Sequence, residues 1–414
     1  MKSDIDHLMA ERGYAALLAM GGTAHNPPMY YLANGAVIGE RSVAVKKQGQ
    51  APVLFVDNME REEAARSGLH VVAGTAARLR ELMQAAEGDR LRATARWVGD
   101  MLSEAGVEGG TVAAYGSADL GAGYELLTAM SELLPQYNFV GEFDDSLLDA
   151  AMITKSPDEI KRMRAVGKKT VAVVAGTEEF LTSHRARSGY LVKKDGTRLT
   201  IGDVKHRIRK LLTDENLVDA EDGTIFSIGH DAGVPHSRGN ARDPLKLGQT
   251  IVYDIFPAEP GGGYYFDFTR TWCLGYAPPE VEQAYADVLA TFKGVMKALR
   301  PGELTRTYQA LTCQMLEARG HPTVGSDPTT TSGYVHSVAH GVGLRIHEGP
   351  RFNDSPDNLA RLEPGMVVTI EPGLYYPERG YGIRIEDTVW LNPKNLKFEA
   401  LANYSKELIL KVRR

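Results

Sequence analysis

Over residues 1–150, short apolar runs alternate with stretches of helical period. Residues 4–12 predict a short amphipathic helix, and Ala15–Met20 an apolar strand. Asn26-Pro-Pro-Met-Tyr-Tyr31 reads as a turn leading into extended chain. Pro52–Val56 predicts a buried strand followed by a helix over Asn58–Arg66. Val71-Val72, Thr111–Tyr115 and Phe139-Val140 are further strands, with helical stretches at Ala76–Ser103 and Asp119–Leu134. Strands alternating with helices imply an α/β domain with a largely parallel sheet. It carries no phosphate-binding glycine pattern. Ser156-Pro157-Asp158-Glu159 is then a complete capping box with proline at the first helical position, opening a helix toward Leu181. This marks a division near Leu148–Lys155, giving domains 1–150 and 151–414.

The second domain has a different rhythm. Arg185–Thr200 reads as a polar loop, Gly202–Leu212 as a helix and Thr224–Ser227 as a strand. Helices are expected over Pro279–Leu299 and Glu303–Arg319. Strands return at Val335–Ala339, Met366–Tyr376 and Gly382–Leu391. Between these lie two apolar, β-rich hairpins. In the first, Thr250–Trp272, the midpoint of Asp254 and Asp267 falls at Pro260-Gly261, its most turn-prone dipeptide. A fold there makes the two aspartates cross-strand partners, their Cβ atoms about 5 Å apart. In the second hairpin, the midpoint of Glu371 and Glu386 falls inside the turn Pro377–Gly380, pairing the glutamates in the same way. Arg384 shares the parity of Glu386 and so its face. Four carboxylates in register on apolar strands cost many kcal/mol to bury unless cations sit among them. His336 and His340 precede the second hairpin at an even spacing, and His347 follows within the same glycine-containing stretch.

Composition narrows the reading. At 414 residues, 43% apolar and 24% charged, the chain is an ordinary globular protein of two-domain length. A net charge of −6 without basic runs argues against a nucleic-acid binder. Cys273 and Cys313 read as buried thiols of a reducing compartment rather than a bridge. No basic n-region opens the chain and no apolar run is long enough for a membrane span, so a cytoplasmic location is expected.

Taken together, these residues resemble the pita-bread metallopeptidases of the creatinase/aminopeptidase P/prolidase group. The resemblance covers essentially the whole chain and rests on motifs in the family's order. They are Asp254, Asp267 in Asp-Phe-Thr-Arg-Thr, His340 in His-Gly-Val-Gly, Glu371 in Glu-Pro-Gly, and Glu386 in Arg-Ile-Glu-Asp. It implies an α/β creatinase-like N-terminal domain and an α+β pita-bread catalytic domain. It implies two divalent metal ions, with Asp254 on one, His340 and Glu371 on the other, and Asp267 and Glu386 bridging. An oxygen-rich set with one imidazole suits Mn²⁺, ahead of Zn²⁺ or Co²⁺. Two such cations would share a water and lower its pKa toward neutrality. By the same resemblance Glu371 accepts the proton of the attacking water. The resemblance also implies that His236 and His347 stabilise the tetrahedral intermediate or contact the substrate near the scissile bond, and that His336 lines the leaving-residue pocket. Arg384 supports a bridging carboxylate or binds a substrate carboxylate. One departure stands out: the two aspartates are two residues further apart than is commonest in the group. An even insertion lengthens the turn and keeps the face.

The implied activity is an exopeptidase hydrolysing the bond between an N-terminal residue and proline, as a Xaa-Pro dipeptidase or Xaa-Pro aminopeptidase. Its substrate would be a small peptide with proline second, and its assembly a homodimer. Arg41, Arg351 and Arg384 are the candidates for a substrate carboxylate, and Arg41 and Tyr31 for reaching a neighbouring subunit. The rival readings are a creatinase-type amidinohydrolase or lyase, which the intact ligand set disfavours, and a non-catalytic pita-bread binding protein.

Overall fold

A computed structural model describes residues 2–219 and 223–413. The chain separates into two compact units, Met1–Met152 with Gly261–Gly263, and Ile153–Pro260 with Tyr264–Arg414. In the first, strands β1 (Ala16–Met20), β2 (Val43–Lys47), β3 (Val53–Val56), β4 (His70–Ala73), β5 (Gly110–Gly116) and β6 (Tyr137–Val140) form one sheet in the order β4-β3-β2-β1-β5-β6. The sheet is mixed rather than largely parallel: β2 runs antiparallel to both β1 and β3, whereas β1/β5, β3/β4 and β5/β6 are parallel. Strand β2 escapes the sequence pattern because it ends in two lysines. Lys46 is nonetheless buried, its ammonium held by Asp6.

Local chemistry redraws two more elements of this unit. Asn26 caps a helix over Pro27–Leu32, accepting from the Met29 N–H, so the segment read as a turn is helical with prolines in its first turn. The stretch 76–103 is two helices, Thr75–Ala85 and Arg90–Glu104, parted where Glu87 and Gly88 take left-handed backbone angles. Tyr31 is fully buried and donates to the Ala151 carbonyl at 3.0 Å, which removes it as a residue reaching a neighbouring subunit. The turn tip joins this unit too: a Cβ on Gly262 would stand 2.4 Å from the Thr23 carbonyl oxygen.

Glu142 is the polar hub of the first unit. It accepts from Arg12, from the Tyr115 hydroxyl, from Tyr14 at 3.1 Å and from the Leu147 N–H at 3.0 Å. Burial opposes its ionisation, but these donors outweigh burial and hold its pKa below the usual carboxylate range. A depressed folded pKa contributes stability above the unfolded value and loses it as pH falls. Glu142→Gln is therefore expected to cost about 1–3 kcal/mol at neutral pH. The gap should narrow in acid, as thermal unfolding at pH 7 and below pH 4 would register.

The second unit opens with the helix Pro157–Ser183, whose capping box is complete on both sides. The segment read as a polar loop is a small hairpin of β7 (Arg185–Arg187) and β8 (Tyr190–Val192). Next come the helix Ile201–Asp214, β9 (Ile225–Ile228), β10 (Thr250–Ile255) and β11 (Phe268–Leu274). Helices Pro279–Ala298 and Arg306–Glu317 precede β12 (His340–Gly341), β13 (Glu348–Arg351), β14 (Val367–Ile370), β15 (Gly373–Tyr376), β16 (Tyr381–Arg384), β17 (Asp387–Asn392), β18 (Lys397–Ala400) and β19 (Ile409–Leu410). These form a sheet in the order β19-β11-β10-β9, another in the order β13-β12-β14-β17-β18, and the pair β15-β16. Burial along β10, β11 and β14–β16 is continuous, so these strands are covered on both faces. Cys273 and Cys313 are free, buried thiols, and among the described residues no helix is long and apolar enough to cross a membrane.

Candidate metal centre

The first hairpin pairs Asp254 with Thr269 and Ile255 with Phe268. Asp267 thus lies one step beyond the ladder, diagonal to Asp254 rather than opposite it, and the fold point shifts toward Gly261-Gly262. Parity survives a shift of two, so both carboxylates keep the same face. The longer turn is tied down by the first turns of the helix Pro157–Ser183. Glu159 accepts from the Tyr264 hydroxyl at 2.5 Å, Arg162 binds Glu259, and Glu259 accepts from the Tyr264 N–H. Gly167 leaves room for the Phe266 ring, which a Cβ there would meet at 2.5 Å.

The second hairpin keeps its predicted register. Ile370 pairs with Asp387 in one ladder and Gly373 with Arg384 in another, so Glu371 and Glu386 face each other in the gap between them. Threonines stitch the hairpins together. Thr269 donates to Glu386 Oε2 at 2.7 Å, Thr388 to the Asp267 carbonyl at 2.7 Å, and Thr271 to the Arg384 carbonyl at 2.9 Å. Arg270, fully buried, donates to the Glu386 carbonyl at 2.7 Å and to Asp387 at 2.8 Å. Thr269, Arg270 and Thr271 sit inside the Asp-Phe-Thr-Arg-Thr run, where the pattern of polar and apolar positions does not reveal these contacts.

The histidines arrive without the expected strand over Val335–Ala339. That segment is irregular because Gln309, from the helix Arg306–Glu317, takes its backbone bonds: Gln309 accepts from the Val338 N–H and donates to the His336 carbonyl. His336 and His340 still converge on Glu371, at 3.9 Å from its Oε2 and 3.3 Å from its Oε1 respectively. His340 donates from Nδ1 to the Gly341 carbonyl, leaving Nε2 between Glu371 Oε1 and Asp267 Oδ2, the latter at 3.4 Å. His347 stands edge-on to His340 with ring centroids 4.4 Å apart. His236 is exposed on its loop, within electrostatic range of both His336 and His347. His321 goes elsewhere, between Tyr376 and Asp287.

Arg384 reaches across to the other hairpin. It donates to Asp254 Oδ2 at 2.5 Å, to the Tyr375 hydroxyl at 2.7 Å and to Thr269 at 3.2 Å. The partner it holds is Asp254 rather than either of the expected bridging carboxylates. Nothing local marks Tyr375 out in the sequence beyond its sharing the parity of Glu371. Its hydroxyl, 2.9 Å from His336 Nε2, completes a chain: His336 gives its Nδ1 proton to the Ser337 carbonyl, so Nε2 accepts from Tyr375. Arg41 is exposed in the first unit and Arg351 on β13.

Electrostatically the cluster is crowded with negative charge. Burial, then the Asp254 charge, push Asp267 up to about 7 despite its contact with His340. Burial, Asp267 and Glu371 raise Glu386 well above the carboxylate range. Glu371 goes the other way: burial opposes its charge, but the His340 contact brings it down to about 2. Burial lowers His336 and His347, while His340, flanked by two carboxylates that outweigh its burial, rises well above an ordinary imidazole.

The donor set fits divalent cations. Asp267, His340 and Glu386 each offer a ligand atom within 4.8 Å of the others. Asp254 Oδ1 and Glu386 Oε1 are buried oxygens that, among the described residues, have no hydrogen-bond partner. Carboxylate oxygens left unsatisfied beside one imidazole nitrogen match hard, oxygen-preferring metals.

Comparison with known proteins agrees. The profile of Metallopeptidase family M24 matches residues 161–393. A Xaa-Pro dipeptidase of Pyrococcus furiosus is 30% identical over 288 residues, covering 67% of this chain and 72% of that protein. A Xaa-Pro dipeptidase of Pyrococcus horikoshii is 26% identical over 396 residues, 93% of each. Among solved structures, the prolidase from Pyrococcus horikoshii superposes with a TM-score of 0.73 at 22% identity, covering 98% of this chain and 99% of that one. The X-Pro aminopeptidase from Thermotoga maritima gives 0.72 at 20% identity, over 97% and 99%.

Proposed function

The chain belongs to metallopeptidase family M24, and from that membership we propose that it is a hydrolase releasing the N-terminal residue from small peptides with proline in second place. Its fold is an α/β creatinase-like unit and an α+β pita-bread unit, and we place the chemistry in the latter. The observation that carries this reading is the convergence of buried Asp254, Asp267 and Glu386 with half-buried His340 and Glu371, two of the buried carboxylate oxygens lacking any partner among the described residues. These five residues would hold two divalent ions, with Mn²⁺ favoured by the oxygen-rich donors. Such ions supply Lewis acidity and a water acidified toward neutral pH.

The remaining work falls to the chain's own side chains. Glu371, held by the Thr369 hydroxyl at 3.3 Å and by His340, is placed to take a proton from the attacking water. His347 and His236 offer ring N–H groups where negative charge gathers on the scissile carbonyl oxygen. His336, its Nε2 committed to Tyr375, serves as a fixed wall for the leaving residue. Arg384 keeps Asp254 oriented and charge-balanced, so we assign it a positioning role ahead of substrate binding. The proposed assembly is a homodimer in a reducing, cytoplasmic setting, which light scattering of the purified protein would check.

The decisive experiment assays a Xaa-Pro dipeptide and a Xaa-Pro-containing tripeptide with Mn²⁺, before and after chelation. Turnover that falls at least about 100-fold on chelation and returns with Mn²⁺ is expected. Dipeptide-only turnover identifies a dipeptidase, and turnover of both an aminopeptidase. Undiminished activity after chelation would sink the metal-dependent reading, and no turnover of either peptide would revive the amidinohydrolase and binding-protein alternatives.

A further inference from the structure

We infer that the buried Lys155–Glu348 ion pair is a positioning element for His347, an inference that rests on the carbonyl-binding role just proposed for that histidine. Lys155 Nζ donates to Glu348 Oε2 at 2.6 Å, and both side chains are almost wholly buried, 1% and 5% exposed. The other carboxylate oxygen, Oε1, accepts from the Leu344 N–H at 2.7 Å and the Arg345 N–H at 3.2 Å. Glu348 thus closes the loop 341–348 onto itself, and His347 is its immediate neighbour in that loop. No regular ladder does this job, because the β12–β13 pairing changes register between His340 and Gly341.

The surroundings are shaped for that carboxylate. A Cβ on Gly343 would lie 2.3 Å from Glu348 Oε2, so a side chain there would evict it. Lys155 is itself anchored: its N–H donates to the Gly365 carbonyl at 2.9 Å, its Nζ also donates to the Ile153 carbonyl, and Ser156 beside it caps the following helix. The loop is tied to the first hairpin as well, the Tyr265 N–H donating to the Gly343 carbonyl at 2.8 Å. A buried ion pair rarely adds more stability than an apolar pair of the same size. What this one adds is a fixed charge at one point, which sets the path of two backbone amides and the residue beside them.

The test uses the full-length Mn²⁺-loaded enzyme and Lys155→Met, alone and combined with His347→Ala. Lys155→Met should lower kcat on a Xaa-Pro dipeptide by about ten- to a hundred-fold, with KM within about twofold and metal content unchanged. In the His347→Ala background the same change should cost less than about twofold, because the residue being positioned is gone. Hydrogen exchange of the Leu344 and Arg345 amides should accelerate. An equal loss in both backgrounds, or unchanged kcat with unchanged exchange, would overturn the inference. If Lys155→Met fails to fold, Glu348→Gln takes its place: it removes the charge, weakening both the bond to Lys155 and the charge-assisted bonds from the two amides, and the same pattern is expected. The exchange measurement needs no turnover. If the parent enzyme leaves Xaa-Pro peptides intact, the proposed activity fails on its own, and acceleration confined to 341–348 still decides whether the pair sets the loop.

Discussion

Glu371→Gln is expected to lower kcat on a Xaa-Pro dipeptide by about 10²–10⁴-fold, the usual worth of a positioned general base. The change keeps the size of the side chain and the backbone bond from the Glu371 N–H to the Val338 carbonyl, at 2.8 Å. An amide oxygen can still accept from Thr369, so the melting temperature should move by only a few degrees. What disappears is a carboxylate able to take up a proton, in a position served by His340 at 3.3 Å and overlooked by His336 at 3.9 Å. Steady-state kinetics, metal content and thermal unfolding on one preparation separate the outcomes. A variant that keeps its metal and more than a tenth of the parent kcat would remove Glu371 from the proton-transfer role.

Much of this centre is legible in the chain because hairpins convert sequence arithmetic into space. For Glu371 and Glu386 the sum of positions fixes the register once the turn at Pro377–Gly380 is recognised, and the ladders agree. For Asp254 and Asp267 the same arithmetic picks the wrong pivot by one residue, since Pro260-Gly261 is the stronger turn dipeptide but Gly261 and Gly262 are the residues with positive φ. The face survives the error because side chains alternate with a period of two. His336 and His340 converge, but not through the extended chain that their even spacing predicts. No strand places them together; the amide of Gln309, from a distant helix, does.

What the chain does not reveal is the set of long-range polar contacts. Tyr375, Thr269 and Lys155 are ordinary residues on local grounds, and their roles appear only when partners over a hundred residues away, or across a turn, close on them. Strand β2 in the first unit was hidden for a related reason: a buried lysine neutralised by Asp6 mimics a solvated one in any pattern of polar and apolar positions. Local periodicity records which face is covered. It does not record which charge has been paired.

Replacing Glu386 by glutamine should reverse the sign of its effect on stability according to whether metal is present. Glu386 is 1% exposed, with one oxygen satisfied by Thr269 and the other without a partner among the described residues. Four carboxylates share the cluster, and Arg384 compensates Asp254 while His340 lies between Asp267 and Glu371. Glu386 pairs directly with neither cation, and burial with the Asp267 and Glu371 charges lifts its pKa well above the carboxylate range, so without metal it is held as the acid. In chelated protein at neutral pH, Glu386→Gln should raise stability by about 1–3 kcal/mol, because a carboxyl that folding forces to hold its proton costs stability above its unfolded pKa and an amide does not. With Mn²⁺ at a hundredfold excess over its Kd the parent gains about 2.7 kcal/mol by mass action. The variant, short of one of the carboxylates proposed to hold the metal, should forgo most of that gain and its catalytic activity with it. Thermal unfolding of both proteins, with chelator and with Mn²⁺, should show the order of melting temperatures inverting. A variant less stable than the parent under both conditions would mean that Glu386 is held by contacts within the protein and not by its place in a metal centre.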